Sequence, residues 1–254
     1  MGNQRQSQDY RQRIYDAYVQ ARDTPLAPET LAGLKPRLPY LQRLVRKHFP
    51  QNRNAIILEL GCGHGALLHV LAQAGYTHAS GVDTSGEQVA AAQRLGIGGV
   101  EQGDVMEMLH STSDSSLDVV VAFDVIEHFT KPELIPFVDE VRRVLKSDGR
   151  WIIHVPNAES PFGGRMRYGD FTHEQAFTHT SLGQLLMASN FKSVQFFEDR
   201  PVVHGLKNAV CAALCVCLRV GLLFYIAVET GALDHLAVFS QNLLAVAYLD
   251  ETGE

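Results

Sequence analysis

The chain has 254 residues, 46% of them hydrophobic and 20% charged, so one large domain, alone or with an appendage, can bury a sizeable core. A formal charge of −6 and a pI near 6.0 offer no basic face of the kind that releases counterions from a polyanion, and no nucleic-acid partner is expected. The four cysteines form neither a zinc spacing nor a disulfide framework, since Cys211, Cys215 and Cys217 crowd one apolar stretch, and this suits a reducing compartment.

The opening residues, Met-Gly-Asn-Gln-Arg-Gln, are polar and lack a signal-peptide core, and Gln6 stands where a myristoylation pattern needs Ser or Thr. A cytoplasmic protein is expected. Residues 1–50 read as an N-terminal helical segment, with helices over Tyr10 to Arg22 and Lys35 to His48 and a Pro-containing linker at Thr24 to Thr30. These helices are expected to pack over the mouth of a ligand site. Residues 51–254 read as one domain in which apolar runs alternate with helix-like segments, the rhythm of βα units around a parallel sheet.

In chain order, Ala55 to Leu60 is a buried strand, Ala66 to Ala74 a helix, and Ala79 to Val82 a second strand ending in Asp83. A third short strand falls near Gly99 to Gln102, and Leu117 to Phe123 is a fourth. Pro132 to Lys146 is a helix with proline in its first turn, Asp148-Gly149 a turn, and Arg150 to Val155 a fifth strand. The stretch Asn157 to Thr178 reads as a loop long enough to be functional. A helix over Ser181 to Ser189, a strand over Ser193 to Glu198, an apolar stretch over Ala209 to Val228 and a last strand over Leu243 to Leu249 complete the chain.

The chemistry begins at Glu59-Leu-Gly61-Cys62-Gly63-His-Gly65. A glycine-rich turn between a buried strand and a helix lets backbone approach a ligand closely and aims unpaired N–H groups at it. A dinucleotide fingerprint would space its glycines G-x-G-x-x-G around a pyrophosphate. Here the spacing is G-x-G-x-G, and the carboxylate of Glu59 would repel a pyrophosphate but suits an ammonium group. Asp83, followed by Thr84, closes the second strand where an acid can accept two ribose hydroxyls, and Asp104-Val105 follows the third strand where a carboxylate can meet an adenine amino group. Taken singly, such glycines and acids also serve as turn formers and helix caps.

The ordered series ILELGCGHG, GVD, GD and DVVVAFDVIEH resembles the motifs of class I S-adenosylmethionine (SAM) dependent methyltransferases, over roughly Ala55 to Phe197. The resemblance implies a Rossmann-like α/β fold, a seven-stranded sheet of order 3-2-1-4-5-7-6 with strand 7 antiparallel and helices on both faces. It implies SAM as cofactor and S-adenosylhomocysteine as product. Glu59, Gly61, Cys62 and Gly63 would line the methionine end, Asp83 and Thr84 the ribose, Asp104 and Val105 the adenine, and Phe123 and Asp124 the edge beside the sulfonium. Ser193 to Glu198 becomes strand 6 and Leu243 to Leu249 strand 7, with an insertion of about residues 200–241 between them.

Methyl transfer from a sulfonium is an in-line displacement that gains mostly from alignment, and it needs a base when the acceptor is a hydroxyl. Asp170, His173 and Glu174 stand close together in the loop after the fifth strand, and histidine suits proton removal near neutrality. His173 is the expected general base, oriented by Asp170 or Glu174; a loop brace is the alternative. His128, Arg165, Arg167 and Tyr168 are the expected substrate contacts, the arginines toward a phosphate or carboxylate or else as solvated loop charges. Glu127 beside His128 lacks a third ligand, so no metal is expected. The loop text SPFGGRMRYGDFTHEQAFTHTSLGQLL resembles methyltransferases of bacterial polysaccharide and glycolipid assembly and, more distantly, ubiquinone-type O-methyltransferases. That resemblance implies a sugar hydroxyl on a nucleotide- or lipid-linked glycan, with a quinone-like or other small molecule as the alternative acceptor. Two further classes remain, a non-catalytic SAM-binding partner protein and a nicotinamide-dependent oxidoreductase.

Ala209 to Val228 is about as long as a bilayer crossing. Arg219 at its midpoint would cost about 2.5 to 3.5 kcal/mol there, and a single crossing would strand the two flanking strands on opposite sides. A membrane-surface helix, a helical hairpin, a homodimer contact or a lid, drawn from about residues 205–240, are the remaining readings, the first placing the protein peripherally at the inner face of the membrane. The three cysteines are expected to be buried apolar residues.

Overall fold

The computed structural model describes residues 27–199, 205–232 and 237–250, with residues 205–209 by backbone alone. The expected helix over Tyr10 to Arg22 lies outside the described residues. Seven strands form one sheet of order β3-β2-β1-β4-β5-β7-β6: β1 (Ile56–Leu60), β2 (His78–Asp83), β3 (Val100–Gln102), β4 (Leu117–Phe123), β5 (Leu145–Pro156), β6 (Ser193–Glu198) and β7 (Asn242–Tyr248). β7 runs antiparallel to β5 and β6, and every other pair is parallel. This is the expected Rossmann-like arrangement. The carboxyl ends of β1, β2, β4, β5 and β6 therefore share one edge, where ligands bind in such sheets.

Because side chains alternate across a strand, each central strand serves two cores. Leu58, Leu60, Val120, Ala122, Trp151 and Ile153 join one, against α5 (Lys131–Val144) and α7 (His179–Ala188). Ile57, Val119, Val121, Ile152 and Val246 join the other. That face is covered by α1 (Leu38–His48), α2 (Ala66–Gln73) and α3 (Gly86–Arg94), through residues such as Leu41, Leu44, Leu67, Leu71 and Ala92. α4 (Val105–Ser111) reaches the first core through Leu109. α1 is short, with Pro39 in its first turn and Arg46, Lys47 and His48 in its last, an order that suits the helix dipole.

Three local expectations are corrected. Asp148-Gly149 is not a turn between helix and strand: the helix ends at Val144 and β5 starts at Leu145. Leu145 pairs with Leu117 and Arg150 with Val119, so residues 146–149 bulge opposite Asp118, whose carboxylate takes a salt bridge from Lys146 at 2.8 Å. The stretch after β5 is not all loop but carries α6 (Gly163–Gly169). The apolar stretch forms one helix, α8 (Gly205–Thr230), and Cys211, Cys215 and Cys217 are exposed on it, not buried.

Phe137 of α5 is fully buried between Phe129 and Trp151, with ring centroids at 4.6 and 6.0 Å. Phe137→Ala is expected to cost about 3 to 5 kcal/mol in chemical denaturation; a loss under about 1 kcal/mol would show that this core is not the one described.

Candidate active site

The loop after β1 turns because Gly61, Gly63 and Gly65 all adopt positive φ, at +68°, +55° and +75°. At Gly61 a Cβ would also lie 2.5 Å from Val125 Cγ2, so glycine is required there both sterically and conformationally. The Gly61 and Cys62 amides bond the Val82 carbonyl at 2.8 and 3.0 Å, and the Gly63 amide bonds Asp83 Oδ2 at 2.7 Å. The loop is thus fixed to the end of β2. Cys62 turns its side chain into the core, against Gly81, and so lines the loop by backbone.

Glu59 is 4% exposed, and its Oε2 has no hydrogen-bond partner. Burial pushes its carboxyl up to about 8, against a lowering influence from Arg37 at the start of α1 and a raising one from Asp83. An unpaired buried carboxyl beside a left-handed glycine turn is what the ammonium end of SAM would need. Asp83 gives Oδ1 to the Ser85 amide at 2.8 Å and Oδ2 to Gly63, which leaves each oxygen a further lone pair for ribose hydroxyls. Asp104 caps α4 through Oδ1 alone, to the Met106 and Glu107 amides, and Oδ2 remains for an adenine amino group. Thr84 is exposed and Val105 half-buried beside these acids. The residues present fit the cofactor.

At the end of β4, Asp124 takes a left-handed φ of +55°, a strained conformation of the kind that clusters at functional sites. Its amide bonds the His154 carbonyl at 2.9 Å, and its Oδ1 lies 2.8 Å from His154 Nδ1. His154 Nε2 lies 3.2 Å from Asp199 Oδ2, beyond β6. Burial alone would lower the His154 pKa, but the flanking carboxylates overcome it and raise it to about 10. Asp124 is correspondingly held below the usual carboxylate range: burial would raise it, and His154 outweighs that. This carboxylate–imidazolium–carboxylate bridge was not foreseen. Its one sequence signal is His154 itself, the polar residue in the apolar run RWIIHV at the carboxyl end of a strand.

The next cluster joins two distant segments. Glu127 is fully buried in a 3-10 turn after β4, and its carbonyl accepts from the Glu174 and Gln175 amides at 2.8 and 3.1 Å. That pairing brings His173 beside His128, with ring centroids 4.9 Å apart, and sets His173 Nε2 3.9 Å from Glu127 Oε1. The Met166 carbonyl, 3.0 Å away, orients His173 Nδ1 in place of the expected carboxylate. Asp170 Oδ1 accepts from the Thr172 amide and hydroxyl at 2.9 and 2.6 Å, and that hydroxyl lies 3.0 Å from His128 Nδ1. The Asp170 carboxylate is thus linked to His128 through Thr172, while its carbonyl accepts from the His173 amide at 3.3 Å. Arg167, expected to meet substrate, donates to the His173 and Glu174 carbonyls and stacks near Tyr168; it braces the loop. Arg165 and Tyr168 are exposed on α6, and Phe171 is exposed just after it.

Residues 35–195 match the family described as methyltransferase domain, and the chain belongs to it. The resemblance extends to a ubiquinone biosynthesis O-methyltransferase of Xylella fastidiosa, 30% identical over 60% of this chain and 63% of that protein. A probable S-adenosylmethionine-dependent methyltransferase of Mycolicibacterium smegmatis is 30% identical over 59% of this chain and 55% of its own length. The chain thus spans between about half and under two thirds of the length of the curated relatives it matches. Among solved structures, a SAM-dependent methyltransferase from Archaeoglobus fulgidus superposes with a TM-score of 0.62 at 20% identity, over 85% of this chain and 97% of that one. That likeness confirms the fold, and family and fold together give SAM as the cofactor.

Two predictions follow from the charges. Glu59 is mostly protonated at neutral pH when unliganded, so SAM, whose ammonium favours the carboxylate, should displace a proton as it binds. Calorimetry at pH 7 in buffers of different ionisation enthalpy should show that release, and Glu59→Gln should abolish it while weakening SAM binding about 10- to 100-fold; equal heats in all buffers would refute the assignment. For His154, a folded pKa above the unfolded value of about 6.5 means its stabilisation is fully present below that pH and is lost as pH rises through about 10. NMR should find its ring still an imidazolium at pH 8, and a neutral ring there would remove the bridge.

Proposed function

We propose that this chain transfers the methyl group of SAM to a hydroxyl of a lipid-linked glycan. The observation that carries the methyl-transfer reading is the sequence of groups along one sheet edge: the unpaired Glu59 carboxyl, then Asp83 and Asp104, then Asp124 and the Glu127–His128–His173 cluster. The first three suit the ammonium, ribose and adenine of SAM in that order, and the last would offer proton-accepting atoms to an acceptor beyond the sulfonium end. A relative named as an O-methyltransferase supports oxygen as the accepting atom.

The lipid link rests on α8. Its window Val210–Thr230 has a mean hydropathy of 2.3 and none of it is buried. Exposed Val210, Leu214, Val216, Leu218, Val220, Phe224, Tyr225 and Val228 share the broad face of the helix turned away from Arg219, an apolar face of the kind that lies in a lipid surface. Arg219, its one charge between Val210 and Val228, is turned inward: it pairs with Glu198, donates to the Ala237 carbonyl at 3.0 Å and stacks on Phe239. The apolar helix and the exposed Phe162, Tyr168 and Phe171 of the loop are supplied by segments that follow strands ending at the edge where the acceptor would enter. Since β6 and β7 belong to one sheet, α8 lies in the membrane surface and does not cross it.

The test incubates the protein and methyl-labelled SAM with separate membrane and soluble extracts, with Asp83→Ala as control. Label is expected in the lipid fraction and absent with the control. Label confined to soluble sugars would make the acceptor nucleotide-linked and α8 a lid or homodimer contact. No label despite measured SAM binding, in extracts shown to hold glycan precursors, would overturn the enzyme in favour of a SAM-binding module.

A further inference from the structure

The Glu127–His128–His173 cluster carries more than a proton acceptor requires. Its ligand-capable atoms all lie within 4.8 Å of one another. Glu127 is fully buried, yet both carboxyl oxygens lack a hydrogen-bond partner. Such a group is costly to leave unsatisfied. Both imidazoles, meanwhile, are tied through Nδ1. His128 lies 3.3 Å from the Thr172 carbonyl and His173 3.0 Å from that of Met166, and these contacts leave each Nε2 lone pair available. Fixing the far ring nitrogen on a carbonyl is how ligating histidines are commonly oriented.

We infer that Glu127, His128 and His173 bind one divalent transition-metal cation, with coordination positions left open toward the acceptor. Two imidazoles and one carboxylate favour Zn2+, Fe2+, Co2+ or Mn2+ over the all-oxygen preference of Mg2+ and Ca2+. The sequence hid the site because Glu127 and His128 adjoin but the third ligand comes from a loop beyond the next strand.

The catalytic part of this inference rests on the hydroxyl reading above. A cation here lowers the pKa of a bound hydroxyl. The O–H proton passes to solvent, an oxygen lone pair forms the bond to the methyl carbon, and the C–S electrons return to sulfur, leaving S-adenosylhomocysteine. His173 then serves as ligand, not as general base.

The full chain, stripped with EDTA, is titrated with Co2+ followed by visible absorption and with Zn2+ by calorimetry. One cation per chain is expected, and Glu127→Gln, His128→Ala and His173→Gln should each lower its affinity more than about tenfold. His173→Gln alters only the loop, so its unchanged SAM affinity and circular dichroism would certify folding. No uptake, or equal uptake by His173→Gln, overturns the inference. Full label transfer by stripped protein also overturns it, returns His173 to the role of base and leaves the methyltransferase reading standing. Stoichiometric, variant-sensitive uptake supports the site even where no extract accepts a methyl group, a result that would fall on the acceptor reading alone.

Discussion

A carboxyl buried at the end of β1 without a donor is the constraint on which the cofactor end depends. Glu59 is buried, and among the described residues none gives its Oε2 a hydrogen bond. Desolvation of this kind opposes folding unless the group stays protonated or a ligand supplies the charge. The chain tolerates it because the neighbouring backbone is rigid: three left-handed glycines and the bonds to Val82 and Asp83 hold the loop in one shape. Preorganisation of this kind lowers the ordering cost that binding must meet.

The middle of the edge solves the opposite problem. Asp124 and Asp199 would repel one another across β5, and a buried imidazole between them would ordinarily stay neutral. Each cures the other, since two carboxylates outweigh the desolvation of His154. Tyr40 of α1 stands beside the same group, with its phenol raised by burial first and by Asp199 second. The bridge therefore ties α1, β4, β5 and the end of β6 into one unit. The position of Asp124 at the end of β4 is thus held by residues from four separate parts of the chain.

This division explains what the sequence made legible. The cofactor end is built from contacts between a strand and the turn that follows it, so Glu59, Gly61, Gly63, Asp83 and Asp104 could be read as motifs in order. The sheet order came with them, through the resemblance. His154 was passed over because one histidine in a strand gives no periodic signal, and Asp199 because only the β6–β7 pairing carries it there. α6 was missed for a local reason: GGRMRYG has glycine at both ends and no apolar period, and its helix depends on tertiary support. The expectation of buried cysteines in α8 equates an apolar composition with burial, whereas Cys211, Cys215 and Cys217 are exposed on it.

The placement of α8 follows from connectivity more firmly than from hydropathy. Asn157, fully buried after β5, donates to the Val238 and Ser240 carbonyls at 2.6 and 2.8 Å, and its amide bonds the Gln241 carbonyl. These bonds clamp the segment that returns from α8 to β7 against the carboxyl edge. Arg219, midway along α8, reaches that same segment at Ala237. Both the helix and its return are thus held at the sheet edge by polar groups that a bilayer interior could not satisfy. Any membrane that meets α8 must meet it from the side, and such contact brings the lipid surface toward the edge at which a hydroxyl would approach Glu127, His128 and His173.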